Sequence, residues 1–531
     1  MFHDARTLPA GTTLAADLCI VGAGAAGITL AHALRGRGLR VLLLESGGME
    51  LEEATQALYQ GEQRGVKMLD LDASRLRYFG GTTNHWAGWC RPLEASDFRP
   101  ADPADPRRWP IAREDLTPYY AAAHTVLGLA HDRYAPDDPL LDRAGLAPLK
   151  LDPQRLRTAL FQLSGARFGP QFQPELAAAP GVDVWLHANL LELQTDATAS
   201  QVTALRAASL GGAVFTVTAR LFVLAAGGLE NARLLLLSNQ TQPAGLGNTY
   251  DLVGRYFMDH PWLADLGYLA FNTPGRDLRL YLDQTETPTA TLFGTLAPAT
   301  AEPGIGGFRV LLRPSRRIIE GVAALKSIGS DIAALRWPRH LWANLGHAVS
   351  DYDAVIDSAY KTAFGTRRGL FGAPEPMDAP IVGAHLDVNV EQLPNRDNRV
   401  TLSRSRDALG QNRIVLDWRP GADEKRTMRR AAELVGLEMG RLGIGRLRVN
   451  PLGDADSWPA DLQASRHHLG TTRMADSPRA GVVDAQCRVH GIANLYIAGS
   501  SVFASAGYAN PTLTIVALAL RLADTLAREL G

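Results

Sequence analysis

The apolar positions first cohere at Asp17, where Leu18-Cys19-Ile20-Val21 forms a short unbroken run bounded by glycine. Such a run reads as a strand buried on both faces. Gly22-Ala23-Gly24-Ala25-Ala26-Gly27 follows, then a helical pattern over 28–38 that ends at glycine. A second buried run, Val41-Leu42-Leu43-Leu44, closes the unit at Glu45. Strand, glycine turn, helix and strand complete a β-α-β unit of about 30 residues. Residues 51–79 predict an irregular or helical excursion that leads into Gly80-Gly81-Thr82-Thr83-Asn84-His85-Trp86. Helices are expected around 113–128 and 152–165. From Val182 a series of strands is expected, VDVWL, LLELQ, VTALRAA, AVFTVTA and LFVLAA, with the last running into Gly227-Gly228. Residues 262–380 mix short strand-like runs with a tryptophan-bearing helical segment near 331–363. Alternation returns at 385–392, a long helix is expected at 424–441, and the final 80 residues set glycine-rich turns between short apolar strands.

The 531 residues are 46% hydrophobic and 21% charged, with 54 Lys plus Arg against 55 Asp plus Glu and a formal charge of −1. That is a globular balance with enough apolar material for a large core, and no global field recommends a nucleic acid or an anionic membrane as partner. Three separated cysteines, Cys19, Cys90 and Cys487, exclude a disulfide framework and a zinc ribbon, and no cluster of metal-ligating residues is read. The N-terminus lacks a basic segment before an apolar one, and no apolar run reaches the ~18 residues of a membrane span. The cytoplasm is the expected compartment. Glycine departs from the ordinary: the chain has 51, about a tenth of its residues against a typical ~7%.

The glycines carry chemistry. In Gly22-x-Gly24-x-x-Gly27 the first glycine permits the tight turn, the second lets a pyrophosphate approach the backbone, and the third lets helix pack on strand. The free N–H groups of the helix start, at Ala25 and Ala26, favour an anion there. Glu45 stands where a carboxylate accepts from ribose hydroxyls, which disfavours a 2′-phosphate. A second glycine turn, Ala226-Gly227-Gly228, and a third, Gly499-Ser500-Ser501, suit a long flavin dinucleotide contacted by distant segments. A second complete GxGxxG unit for NAD(P)H is absent.

On these residues the chain resembles the glucose–methanol–choline (GMC) flavoprotein oxidoreductases over essentially its whole length. The segments that carry the resemblance are VGAGAAG (21–27) with Glu45, GGTTNHWAG (80–88), AAGGLENARLLL (225–236), VGRYFMDHP (253–261), EQLPNRDNRVTL (391–402), and HHLGTTRM (467–474) through ANPT (509–512). GGTTNHW and GTTRM place it nearest the pyranose-oxidase-like and fructose-dehydrogenase-like branch. It departs from better-known members at Gly499-Ser500-Ser501, where many have Asp-Ala-Ser. The resemblance implies an α/β (α+β overall) fold. A Rossmann-like FAD-binding domain would be assembled from 1–90, 181–261 and 451–531. A discontinuous substrate-binding cap, 91–180 and 262–450, would be built on an antiparallel sheet and helices.

The family's catalytic His lies three residues before a Gly-Thr pair, here Gly470-Thr471, which makes it His467; its partner beside flavin N5 is Asn510. Alcohol oxidation needs a base for the hydroxyl proton while hydride leaves the carbinol carbon, and a second group to hold the oxygen. Imidazole can be that base and Asn cannot titrate. The adjacent His468 is the alternative base. The resemblance also implies flavin contacts at Gly80, Gly81, Thr82 and Asn84, at Leu190 and Leu191 near adenine, and at Pro511 and Thr512. In some members the His five residues after the first glycine of the pair, here His85, is joined covalently to the flavin; a covalent link and a non-covalent contact are both open. Asn231 and Arg233 are expected to anchor a helix and His260 to be a packing residue rather than a catalyst. Trp337 and Trp342, with Arg336, Arg339 and His340 between, are expected on one helix face; an electron-transfer docking surface is the sharper reading.

The activity implied is FAD-dependent oxidation of a CH–OH group of a small-molecule alcohol, of the sugar, glycoside or aminoglycoside-like polyol kind. The acceptor is dioxygen, a quinone or a cytochrome subunit, and an oligomer is open. The alternative is an FAD-containing lyase or decarboxylase without net redox turnover.

Overall fold

Strands that lie far apart in the chain end level with one another, and that level edge organises the molecule. The computed structural model describes residues 1–531 except 101–104, 131, 276, 283, 288–289, 317–320, 334–336, 339–340, 353–354, 357–358, 360–379, 454–456 and 460. Two large sheets each carry their own apolar core. The first has the order Phe2–Asp4, Val182–Leu186, Val41–Leu44, Thr13–Val21, Val214–Leu224, Val202–Ala208, Asn189–Thr195, and Leu495–Ile497 also pairs with Val214–Leu224. Its central strands are parallel. Val21 stands opposite both Leu44 and Leu224, and Leu224 stands opposite Ile497. The turns that start at Gly22, Ala225 and Ala498 therefore leave one edge together, the carboxyl edge where open α/β sheets bind ligands.

The helix Ala25–Leu34 returns the chain across this sheet, with Ile28, Leu30, Ala31 and Leu34 all buried. The last helix, Thr512–Leu530, packs on it and on the helix Thr117–Val126. The second sheet is antiparallel: Gly445–Val449, Pro261–Phe271, Gly383–Val390, Phe308–Ser315, Thr291–Pro298, Leu156–Leu163, Trp89–Cys90. The helix Ala422–Arg441 packs on it through Met428, Ala431, Leu434 and Val435. The fold is thus mixed α/β, a Rossmann-like sheet beside an antiparallel one. Among the described residues no helix is long and apolar enough to cross a membrane.

Four expectations need correction. The helix expected at 152–165 is the strand Leu156–Leu163, paired in register with Thr291–Pro298. Its two faces enter different apolar clusters, Leu156 and Leu160 one and Ala159 and Phe161 the other, so no polar alternation marks it as a strand. AVFTVTA and LFVLAA are one continuous strand, Val214–Leu224, because Ala219 keeps its pairing with Ala16. The C-terminal helix Thr512–Leu530 replaces what reads as an apolar stretch among short strands. Trp337 lies between helices while Trp342 belongs to Leu341–Ser350, so the two tryptophans do not share a helix; both are exposed. Arg336, Arg339 and His340 lie outside the described residues.

Candidate active site

A cavity of about 650 Å³ lies between the carboxyl edge of the first sheet and the face of the second. That is within the usual range for a small-molecule site. Gly22, Gly24, Ala25, Ala26 and Glu45 line it from the first glycine turn. Gly22 has φ +106°, and a Cβ there would lie 2.7 Å from the Ala225 carbonyl oxygen of the neighbouring turn. Gly24 is different: a Cβ would meet no protein atom within 4 Å and would stand in the cavity. Gly27 does not line the cavity; a Cβ there would lie 1.8 Å from the Gly22 carbonyl oxygen. The buried Glu45 carboxylate accepts from Ala23 N at 2.9 Å and from Gly47 N at 2.9 Å, which ties the glycine turn to the end of the second strand. Oε1 also accepts from Ser46 Oγ at 3.2 Å, so it is Oε2 that keeps a further lone pair for a ligand.

Gly81, Thr82, His85 and Trp86 form another wall, and Leu190, Ala226, Gly227, Gly499, Ser500, Pro511 and Thr512 complete the lining. Three residues expected as cofactor contacts, Gly80, Asn84 and Leu191, are not part of it, and neither is Gly27. Gly80, φ +94°, starts the short turn Gly81–Asn84, and a Cβ there would collide with the Asn84 amide. Asn84 spends its own amide inside the protein, donating to Phe79 O at 2.8 Å and accepting from Gly169 N at 2.9 Å. Leu190 lies in the strand Asn189–Thr195, where the run LLELQ predicts one.

Asn231 joins two glycine turns. Its Oδ1 accepts from Ala226 N at 2.8 Å, and its Nδ2 donates to Ala498 O and to Ser501 Oγ at 3.2 and 2.9 Å. Arg233 binds Glu230 and Asp407 and anchors the helix Glu230–Leu237 to the strand pair beside it. The third turn is bound to the histidine segment: Ser500 Oγ donates to His468 O at 2.6 Å.

His467 and Asn510 meet at the far end of this cavity, with Asn510 Nδ2 3.2 Å from His467 Nε2. The other side of the ring meets His260, the two Nδ1 atoms 2.8 Å apart, so the expected packing role for His260 is incomplete. His260 is fully buried, and its Nε2 lies 2.9 Å from Gly507 O. Asn510 Oδ1 accepts from Arg309 Nη1. Arg309 is buried over the rings of Trp89 and Phe161, and among the described residues its Nε has no hydrogen-bond partner. His468 turns elsewhere: its ring faces Phe257, and its Nε2 has no partner.

Asp259, His260 and His467 bring ligand-type atoms within 4.8 Å of one another, a spacing a metal could use. Hydrogen bonds account for the closeness, since Asp259 accepts the backbone N–H groups of His260, Ser465 and His467. Asp259, Arg309 and the His260 contact escape sequence reading. The one available signal is the Asp-His-Pro run at 259–261, which offers a polar pair at the mouth of a strand.

Burial sets the charges. It holds His260 down to about 4 and His468 down to about 3, and it lowers His467 well below the ordinary imidazole value with help from His260 and Arg309. It pushes Asp259 up to about 7 against the pull of its backbone donors, and it holds Arg309 down to about 9. The three histidines are thus neutral in the folded protein and would each take a proton on unfolding below pH 6.5. Asp259 works the other way, holding a proton that the unfolded chain releases above its ordinary value of 3.8. Three protons against one means that unfolding free energy falls as pH drops from 6.5 towards 4.5, by at most about 3 kcal/mol per pH unit. Urea midpoints measured from pH 7.5 to 5 should show this fall, and His468→Phe should flatten it. An equal slope in the variant would remove His468 from the account.

Residues 20–48 match the family model described as an NAD(P)-binding Rossmann-like domain, and residues 394–519 match that described as GMC oxidoreductase. The fructose dehydrogenase large subunit of Gluconobacter japonicus is 24% identical, covering 98% of this chain and 99% of its own. Paromamine 6'-oxidase of Streptomyces fradiae is 26% identical, covering 97% of this chain and 92% of its own. Among solved structures, pyridoxine 4-oxidase from Mesorbium loti superposes with a TM-score of 0.57 at 17% identity, covering 96% of this chain and 98% of that one, a likeness of fold.

Proposed function

We propose that this chain, a GMC oxidoreductase that oxidises CH–OH groups with FAD, acts on a sugar, glycoside or aminoglycoside-like polyol with His467 as the base. The observation that carries this reading is the His467–Asn510 pair at one end of a cavity whose other walls include three glycine turns. A long dinucleotide fits those walls. Gly24, Gly227 and Gly499 leave open space where a side chain would stand. The first N–H groups of the helix Ala25–Leu34 lack intrahelical partners and face an anion's place. The buried Nε of Arg77 and Nε2 of His468, both on lining residues, await partners.

FAD supplies a two-electron hydride acceptor when bound. His467 Nε2 would take the hydroxyl proton, and Asn510 Nδ2 would hold the oxygen while charge develops on it. Arg309 pairs with no carboxylate among the described residues, so its charge is free to stabilise that oxygen through Asn510. On the second sheet Arg309 Nε can donate and Asn389 Oδ1 can accept, both buried and unpaired at the wall. A substrate with several hydroxyls would satisfy both, whereas an apolar alcohol would leave them stranded.

An anaerobic stopped-flow screen of aldoses, polyols, glycosides and aminoglycosides tests the reading. A polyhydroxylated alcohol should bleach the flavin faster than simple alkanols do. If none does so while alkanols do, the substrate class is wrong. Dioxygen and a quinone, compared as oxidants of the reduced protein, decide between oxidase and dehydrogenase. His85 lies at the cavity wall beside Tyr78, in reach of whatever the cavity holds. Acid precipitation separates the two: a yellow supernatant means a contact, a yellow pellet a covalent link.

A further inference from the structure

Which nitrogen of His467 carries the proton decides whether the ring can act as a base, because only a bare Nε2 can take a proton on the Asn510 side. The hydrogen bonds around the ring leave one arrangement. The Gly507 carbonyl can only accept, so His260 Nε2, 2.9 Å away, carries hydrogen. His260 is fully buried, and Arg309 acts with burial against a second proton on it. Its Nδ1 is therefore bare. That atom lies 2.8 Å from His467 Nδ1, and two nitrogens at this distance share one hydrogen, which must belong to His467. His467 Nε2 is then bare.

The other side of the ring requires the same answer independently. Arg309 Nη1 can only donate, which makes the Asn510 atom it meets the carbonyl oxygen. The amide nitrogen is then the atom facing His467 Nε2 at 3.2 Å, a donor against a lone pair.

We propose that His260 is a positioning residue: anchored on the Gly507 carbonyl, it holds His467 as the Nδ1–H tautomer and so keeps Nε2 a base. The usual orienter of such a histidine is a carboxylate. Here the neighbouring carboxylate, Asp259, is spent on three backbone N–H groups. The orienter is a neutral imidazole, which sets direction without adding charge. The proposal rests on the reading of His467 as base.

Two variants of the FAD-loaded enzyme test it. Asn and Leu are close in size, but only Asn offers an acceptor near the place of His260 Nδ1. His260→Leu should slow anaerobic flavin reduction at saturating alcohol at least ~100-fold with the apparent substrate Kd changed less than threefold, since a wrong tautomer costs up to ~10⁴ in rate. His260→Asn should recover at least tenfold of that loss. In ¹⁵N-imidazole spectra, His467, assigned by its disappearance in His467→Ala, should show a bare Nε2 in the unaltered enzyme and in His260→Asn, and a protonated Nε2 in His260→Leu. Equal rates in the two variants, or an unchanged tautomer in His260→Leu, overturn the proposal. If His260→Leu does not fold, a protonated Nε2 in the unaltered enzyme does so by itself. Failure of the underlying reading looks different: His467→Ala would reduce at the normal rate while the tautomer stayed readable.

Discussion

His467→Ala should give a folded, yellow protein whose flavin an alcohol substrate reduces at least ~10²-fold more slowly, a loss of about 3 kcal/mol of transition-state stabilisation. The flavin should stay because its cradle is elsewhere: Gly24, Gly227 and Gly499 follow three parallel strands, and none of them bonds to the His467 ring. The rate should fall because, among the described residues, nothing else beside Asn510 is both basic and placed to act. Asn510 cannot titrate, and Arg309 is protonated. His260 points its only bare nitrogen at His467. Removing the ring also strands the His260 lone pair and the Asn510 amide, so a stability cost of about 1–3 kcal/mol should accompany the kinetic one. The two separate cleanly when reduction is measured by stopped flow and unfolding by urea. Reduction within threefold of normal would move the base, and His468→Ala would then be the variant to read. The structure argues against that transfer. Gly228 packs on the His468 backbone, and the His468 ring faces Phe257, away from Asn510.

What the sequence could reveal follows from what each residue must do locally. Glycine turns are legible because a backbone that bends sharply, or that something must approach, excludes a side chain wherever it occurs in the chain. Their convergence needed one further fact, the parallel register of Thr13–Val21, Val214–Leu224 and Leu495–Ile497. His467 and Asn510 were legible through the motifs that flank them. Arg309 was not: in FRVLLRPS it alternates with apolar residues as any strand cation does, and only tertiary packing shows that it is buried with no carboxylate partner among the described residues. Asn84 misled in the opposite direction. An amide next to a glycine pair suggests a ligand, but Phe79 and Gly169 use its donor and acceptor. Leu156–Leu163 reads as helix in sequence because a strand buried on both faces has no period to display.

Gly27→Ala and Gly24→Val should fail in opposite ways, and the contrast tests whether the glycine excess is a cofactor footprint. At Gly27 a Cβ would stand 1.8 Å from the Gly22 carbonyl oxygen and 3.4 Å from Leu43. The near neighbour is backbone, so relief requires the helix Ala25–Leu34 to lift from a sheet in which Ile20 and Leu43 are fully buried. The expected cost exceeds about 4 kcal/mol, the far end of single substitutions, and the variant should be recovered unfolded or not at all. Gly24 has an extended backbone, φ −88° and ψ −164°, which any residue adopts, and a Cβ there meets no protein atom within 4 Å. Valine should leave the fold intact, with apo-protein melting within a few degrees of the unaltered apo-protein. Yet its methyls would fill the place where a pyrophosphate meets the helix N-terminus, so FAD affinity should fall at least ~100-fold and the purified protein should be colourless. Absorbance at the long-wavelength flavin band, read beside calorimetry, distinguishes the outcomes. A Gly24→Val protein that retains full flavin would mean that the pyrophosphate lies elsewhere, and the open space at Gly227 and Gly499 would lose its meaning with it.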